Sequence, residues 1–250
     1  MDKLLGIHAV EEALAAGRAI ERIVIARGRH GDRIEEIVRR ARARGVPVRF
    51  EDRIQLDRLA ATPEHQGVVA LAAAKPALSL EDLLASSLRR GLLVLLDGIE
   101  DPHNLGAIVR TALAAGADGV IIPERRAAGL TEAVSRASAG ALEHLPVARV
   151  KNLARAMEDL KQAGYWLVGL DEHAEKSYAD ADLTVSVALV FGSEGRGVHE
   201  LVRKRCDFLV SIPTTGPVRS LNVSVAAGIV LFEALRQRGF RSQMNTDQHG

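Results

Sequence analysis

Residues 92–96 read Leu-Leu-Val-Leu-Leu, an unbroken apolar run that ends on Asp97 and Gly98. A strand with no polar alternation has to be covered on both faces, which a parallel sheet with helices on each side provides. The chain around it repeats that demand. Helical spacing over 105–115 is followed by Gly116 and a strand at 119–122. Helices at 131–139 and 153–163 then alternate with strands at 145–150, 165–170, 185–191 and 208–212. This alternation, from about residue 89 to 241, predicts an α/β domain on a mostly parallel sheet. Its last helix, from residue 223 to about 238, carries Val223, Val225, Ala226, Ala227, Ile229, Val230, Leu231 and Phe232 before its first acidic residue, Glu233. A helix apolar all round is buried all round. The sheet covers one side, so the other is expected to meet a second copy in a two-fold homodimer, or another part of the same chain.

Upstream, residues 1–74 read as a smaller α/β unit. It has helices at 6–16, 32–44 and 54–59 and strands at 20–26, 46–50 and 66–73, the second strand near a sheet edge because of Pro47. Gly45 stops the middle helix. Residues 75–88 read as a linker, flexible or semi-rigid, with Lys75-Pro76 ending a strand and Ser79 capping a short helix. The polar tail 242–250 is expected to be disordered.

Composition excludes several classes. Hydrophobic residues at 47% and charged residues at 26% are globular proportions, far from the disordered regime. The single cysteine, Cys206, cannot form an intramolecular bridge and fits a reducing compartment. No signal peptide is visible, and the apolar runs are too short to span a bilayer, so a cytoplasmic protein is expected. The histidines are scattered, with no ligand spacing for a metal. A net charge of +1 neither demands nor excludes nucleic acid. Arg39, Arg40, Arg42 and Arg44 form either a solvated helix face or a phosphate-contacting one. Aromatic residues, at 3%, are too few for a base-stacking platform of the single-strand-binding kind. His65 and Gln66 either cap a turn or hydrogen-bond RNA.

Three segments carry candidate chemistry. The first runs from Leu96-Asp97-Gly98, where the buried strand ends, through Asn104-Leu105-Gly106-Ala107-Ile108-Val109-Arg110, beyond the carboxyl end of a strand, where ligands bind in parallel sheets. Asn104 stands at an N-cap position. Arg110 interrupts an apolar helix, and burying it would require an anion or an ion pair with Glu194. The second is Phe191-Gly192-Ser193-Glu194-Gly195-Arg196-Gly197, a tight loop with exposed backbone groups that matches neither the dinucleotide fingerprint nor a Walker loop. The third runs from Ile212-Pro213 to Ser220-Leu221-Asn222-Val223-Ser224, where Ser220 or Asn222 caps the last helix.

In this order, the three segments resemble the motifs of the SpoU/TrmH family of RNA 2′-O-methyltransferases. The resemblance covers roughly residues 92–238. Gly6-Ile7-His8-Ala9-Val10 and His65-Gln66-Gly67-Val68-Val69 resemble the RlmB-type subgroup, which methylates a guanosine 2′-hydroxyl in the peptidyl-transferase region of 23S rRNA. The resemblance implies a C-terminal deep trefoil knot (the SPOUT fold), a dimer, S-adenosylmethionine as cofactor and a small N-terminal RNA-binding domain. It also implies cofactor contacts from Leu170, Gly192, Gly197, Ile212 and Leu221. Catalysis would involve Arg110, Asn104, Glu194, Ser220 and Asn222, with Arg110 either activating the 2′-hydroxyl or stabilising the developing alkoxide. Methylation of tRNA or of another rRNA position remains open. So do a non-catalytic RNA-binding or ribosome-assembly role and an unrelated nucleotide-binding enzyme.

Overall fold

The computed structural model describes residues 1–86, 91–193, 195–216 and 220–239. Glu194 and the tail 242–250 lie outside the described residues. The N-terminal unit comprises β1 (Asp2–Leu5), α1 (Ile7–Ala15), β2 (Ile20–Ala26), α2 (Asp32–Ala43), β3 (Val48–Glu51), α3 (Arg53–Ala60) and β4 (Val68–Ala72). Its sheet order is β1-β4-β2-β3, antiparallel except for the β2–β3 pair. β3 is an edge strand, and Pro47 precedes it, accepting from Ile23 N of β2 at 2.9 Å through its carbonyl. The sequence pattern gave no sign of β1. Only its last two residues, Leu4 and Leu5, are buried, and its pairing comes from β4, which is buried throughout.

His65 and Gln66 hold a turn. The His65 ring is fully buried, with Nε2 2.8 Å from Asp57 Oδ1 and Nδ1 accepting from Gly67 N at 3.0 Å. Gln66 lies at φ 54° and its side-chain oxygen accepts from Ile7 N. On α2, Arg39 and Arg40 both pair with Glu36, and Arg44 donates to Leu14 O.

The larger unit begins with α4 (Leu80–Ser86) and continues through β5 (Leu92–Asp97), α5 (Pro102–Ala114), β6 (Gly119–Pro123), α6 (Glu132–Ala137), β7 (Val147–Val150) and α7 (Leu153–Gln162). It ends with β8 (Trp166–Leu170), β9 (Val187–Gly192), α8 (Glu200–Arg203), β10 (Phe208–Val210) and α9 (Val223–Gln237). The six strands, in the order β10-β8-β9-β5-β6-β7, are parallel at every described pairing. β5 lies inside the sheet and is buried along its whole length. Successive side chains of a strand face opposite ways. Accordingly, Leu92, Val94 and Leu96 join the core under α5 and α9, while Leu93 and Leu95 join the one under α4 and α7.

Two sequence expectations change. α5 starts at Pro102, and its N-cap is Asp101, whose carboxylate accepts from His103 N at 3.0 Å; Asn104 is inside the helix. Proline suits the first helical turn because its missing N–H would have had no helical partner there. The described part of residues 75–88 is packed against the catalytic sheet. Leu78 N donates to Val147 O at 2.9 Å, and Leu83 is fully buried among Leu93, Ile121 and Ala148.

Polar contacts tie the two units together. Arg18 bridges Asp2 and Glu143, and also donates to Ala73 O at 2.9 Å. Lys75 Nζ donates to Leu142 O and, at 2.8 Å, to Glu143 O. Burial lowers the Lys75 pKa, with Arg18 adding to the effect and Glu143 opposing it. Behind β8, burial pushes the Cys206 thiol up to about 12, with Asp207 reinforcing it.

Removing the Leu83 side chain leaves a cavity against the sheet. Leu83→Ala is expected to cost about 2–5 kcal/mol of stability, measured by urea denaturation. Cys206 is expected to resist alkylation at about pH 8 in the native protein and to react on unfolding, followed by mass spectrometry.

Candidate active site

β5 and β9 are neighbours in register, with Asp97 opposite Gly192. Both strands end at the same edge of the sheet, so the loops that follow them face each other there. After Gly192 the chain turns sharply: Gly197 N donates to Ser193 O at 2.9 Å, and Gly195 and Gly197 have positive φ. The turn brings backbone against backbone. A Cβ on Gly192 would lie 2.0 Å from the Gly197 carbonyl carbon and 2.1 Å from Val198 N. No side chain can relieve a clash between two main chains, so position 192 admits glycine alone.

This turn forms one wall of a cavity of about 400 Å³. The five residues expected at the cofactor, Leu170, Gly192, Gly197, Ile212 and Leu221, all line it, and Ser220 joins them. Apolar walls come from Phe191, Val223 and Ala226, and a polar end from Asp171 and Arg203. Arg203 Nε lies 2.6 Å from Asp171 Oδ2, and Asp171 Oδ1 accepts from His173 N at 2.8 Å.

A second, more polar cavity of about 580 Å³ adjoins the first, and Ser193, Arg196 and Val223 line both. Asn104, Arg126 and His199 also line it, with Glu100 and Asp101. Arg126 is held at φ 58°, a conformation uncommon outside glycine that recurs at functional sites. Asn104 is buried and accepts at Oδ1 from Asn222 Nδ2 at 3.0 Å. Asn222 is the N-cap of α9; its own Oδ1 accepts from Ser224 N at 2.9 Å and Val225 N at 3.4 Å. Asn104 therefore lines the polar cavity while bonded to Asn222, whose neighbours Leu221 and Val223 line the first.

Arg110 departs from expectation. It is exposed, not buried, and neither cavity includes it. It lies six residues beyond Asn104, about 240° around the helix, and so on a different face. Its expected partner Glu194 lies outside the described residues. On α9, which packs against α5, Val225 is 52% and Phe232 50% accessible. α9 packs its other side, through Val223, Ala227, Val230 and Leu231, into the core.

Sequence reasoning passed over His199 and Arg126, and placed Arg196 in a candidate segment without giving it a role. A signal existed for the first: a histidine occupies the N-cap of α8, where serine or aspartate is the usual choice. Among the described residues, no group of three His, Cys, Asp or Glu side chains is placed to hold a metal ion, and no helix is long and apolar enough to cross a membrane.

Comparison with known proteins agrees with this geometry. Residues 91–232 match the SpoU rRNA methylase family, and residues 3–78 match the RNA 2′-O ribose methyltransferase substrate-binding domain. A TrmH-family tRNA/rRNA methyltransferase of Bacillus subtilis, YacO, is 43% identical over 240 residues, covering 95% of this chain and 96% of its own length. The SpoU methyltransferase AviRb from Streptomyces viridochromogenes, solved with AdoMet, superposes with a TM-score of 0.79 at 31% identity, covering 94% of this chain and 90% of AviRb. An AdoMet-bound rRNA methyltransferase from Sinorhizobium meliloti gives 0.78 at 27% identity, covering 94% of this chain and 87% of its own.

The chain belongs to the SpoU/TrmH family of S-adenosylmethionine-dependent RNA 2′-O-methyltransferases, which have the knotted SPOUT fold. The first cavity fits that methyl donor. Glycine backbone at 192 and 197 allows close approach of a flat group, and the apolar lining suits an adenine ring. Gly192→Ala is expected to abolish binding of S-adenosylhomocysteine in calorimetry, because the turn that walls the cavity cannot form.

Proposed function

We propose that this enzyme methylates the 2′-hydroxyl of a guanosine in the peptidyl-transferase region of 23S rRNA, and that it works as a homodimer. The observation that carries the reading is the adjacency of the two cavities. One is apolar and glycine-walled and suits the methyl donor. The other is polar, with a buried asparagine and two arginines, and suits a nucleotide. The walls they share, Ser193, Arg196 and Val223, mark where donor and acceptor meet. The choice of 23S rRNA rests on the RlmB-like segments around Gly6 and His65.

When bound, the sulfonium of S-adenosylmethionine makes its methyl group electrophilic. The protein has to align the ribose oxygen with that methyl and help the hydroxyl lose its proton. Leu170, Gly192, Gly197, Ile212 and Leu221 hold the donor. Asn104 and Asn222, locked to each other, offer amide groups to the ribose, and Ser220 adds a hydroxyl on the donor side.

Arg110 takes its role through the dimer. Along a stripe of α9, Val225 and Phe232 are exposed and Ile229 is half-buried, and Gly228 packs toward Thr111 of α5, the residue next to the exposed Arg110. Two-fold pairing on this stripe covers the apolar side chains and carries Arg110 toward the partner's cavities. There the guanidinium binds a backbone phosphate of the RNA and stabilises charge developing on the ribose oxygen.

Arg110→Ala is expected to slow methyl transfer by about 100-fold or more, with S-adenosylhomocysteine affinity unchanged. Phe232→Glu is expected to sediment as a monomer and to lose transfer. The substrate is tested by mapping 2′-O-methylation in total RNA from cells with and without the gene. The reading predicts loss of one guanosine mark in 23S rRNA; loss from tRNA, a class YacO's name includes, or from another rRNA position would replace that substrate.

A further inference from the structure

Asp97 is the last residue of β5 and is only 7% accessible, at the sheet edge where the two cavities open. Its Oδ2 accepts from the backbone N of His199 at 2.7 Å and lies 2.9 Å from the Nδ1 of the same residue. The first bond alone would anchor the loop between β9 and α8. The second does something else: it fixes the ring. His199 is at the N-cap of α8, yet its side chain makes no capping bond, so the imidazole is not there to start the helix. It stands over Gly98, where a Cβ would come within 3.5 Å of Cε1, and it lines the polar cavity with Asn104, Arg126, Ser193 and Arg196.

The bond to Asp97 sets the chemistry of the ring. An ionised carboxylate only accepts hydrogen bonds, so the proton of the neutral imidazole is on Nδ1. Nε2 then keeps its lone pair and can accept a proton. Histidine with a buried carboxylate behind it is a recurrent general base. The other charged groups lining the cavity are Glu100, Asp101, Arg126 and Arg196, two acidic and two basic. The Cys206 thiol interacts with Asp97 and stays neutral at physiological pH. Arg110 cannot serve as the base, because guanidinium does not lose its proton in proteins.

We infer that His199 Nε2 accepts the proton of the ribose 2′-hydroxyl during methyl transfer, with Asp97 holding the ring in the required tautomer. The inference rests on the reading of the polar cavity as the site of the target ribose. The 2′ O–H bond breaks and its proton goes to Nε2. The ribose oxygen forms a bond to the methyl carbon, the carbon–sulfur bond breaks, and its electron pair stays on the sulfur of S-adenosylhomocysteine. The imidazolium then releases its proton to water. His199 is a catalytic residue in this scheme and Asp97 a positioning residue.

The test combines two readouts on the full-length protein. Nitrogen NMR of the histidine rings in the S-adenosylhomocysteine complex, assigned with His199→Gln, reports the tautomer without turnover. The proton is expected on Nδ1 in the wild type and redistributed in Asp97→Asn. Single-turnover transfer to a 23S rRNA fragment is then followed between about pH 5 and 8. The wild-type rate should rise with pH along the His199 titration seen by NMR. His199→Gln should be slower by about 100-fold or more and lose that dependence, while binding S-adenosylhomocysteine normally. A His199→Gln enzyme within a fewfold of wild type with the same pH profile would overturn the inference, as would a proton found on Nε2. If the wild type methylates RNA on a base only, the ribose reading fails and the inference falls with it. A wild type that methylates ribose while His199→Gln keeps pace refutes the inference alone.

Discussion

Everything at the catalytic edge depends on one close approach between two stretches of main chain. The end of β9 and the turn that follows it nearly touch, at a distance that only glycine at position 192 permits. That contact brings Gly197 back to Ser193, and Ser193, Gly195, Arg196 and Gly197 wall the first cavity. It also aims the next residues, through Val198 and His199, toward the end of β5. Because β5 and β9 are paired in register, the Asp97 carboxylate waits at the right height to receive them. One steric constraint thus sets the donor cavity, the polar cavity and the ring that stands between Asp97 and the substrate side.

The two units of the chain are joined by more than a covalent connection. Arg18, in the N-terminal unit, reaches Glu143, and Lys75 reaches the carbonyls of residues 142 and 143. These bonds surround a partly desolvated ammonium whose pKa is lowered by burial, so their partners are specific and not interchangeable with solvent. The substrate-binding unit is therefore fixed against the methyltransferase unit by specific polar contacts.

The parallel sheet was legible because residues 92–96 admit no other reading, and the alternation around them left few choices of topology. The residues expected at the cofactor, Leu170, Gly192, Gly197, Ile212 and Leu221, were read only from the family resemblance: they are far apart in sequence, and nothing in their spacing implies the common cavity they line. Local signals misled where tertiary packing decides. Asn104 has the side chain of a cap, but Pro102 and Asp101 claim the helix start, leaving Asn104 for Asn222. Arg110 looked buried because its helix neighbours are apolar, yet it lies on the side that a single copy leaves open. Residues 75–88 have the composition of a linker, while Leu83 is drawn into the core by the sheet beside it. The Asp97–His199 pair spans about a hundred positions and belongs to no motif that was recognised, so only three dimensions bring it together.

The enzyme places its methyl group on ribose oxygen and nowhere else on the RNA. The direct measurement is transfer from S-adenosylmethionine labelled in its methyl group to ribosomal RNA, followed by complete alkaline hydrolysis. Alkali cleaves RNA by attack of the 2′-oxygen, and a 2′-O-methyl group removes that nucleophile. Ribose methylation leaves the label in alkali-resistant dinucleotides. Label released in mononucleotides would place the methyl on a base and contradict it.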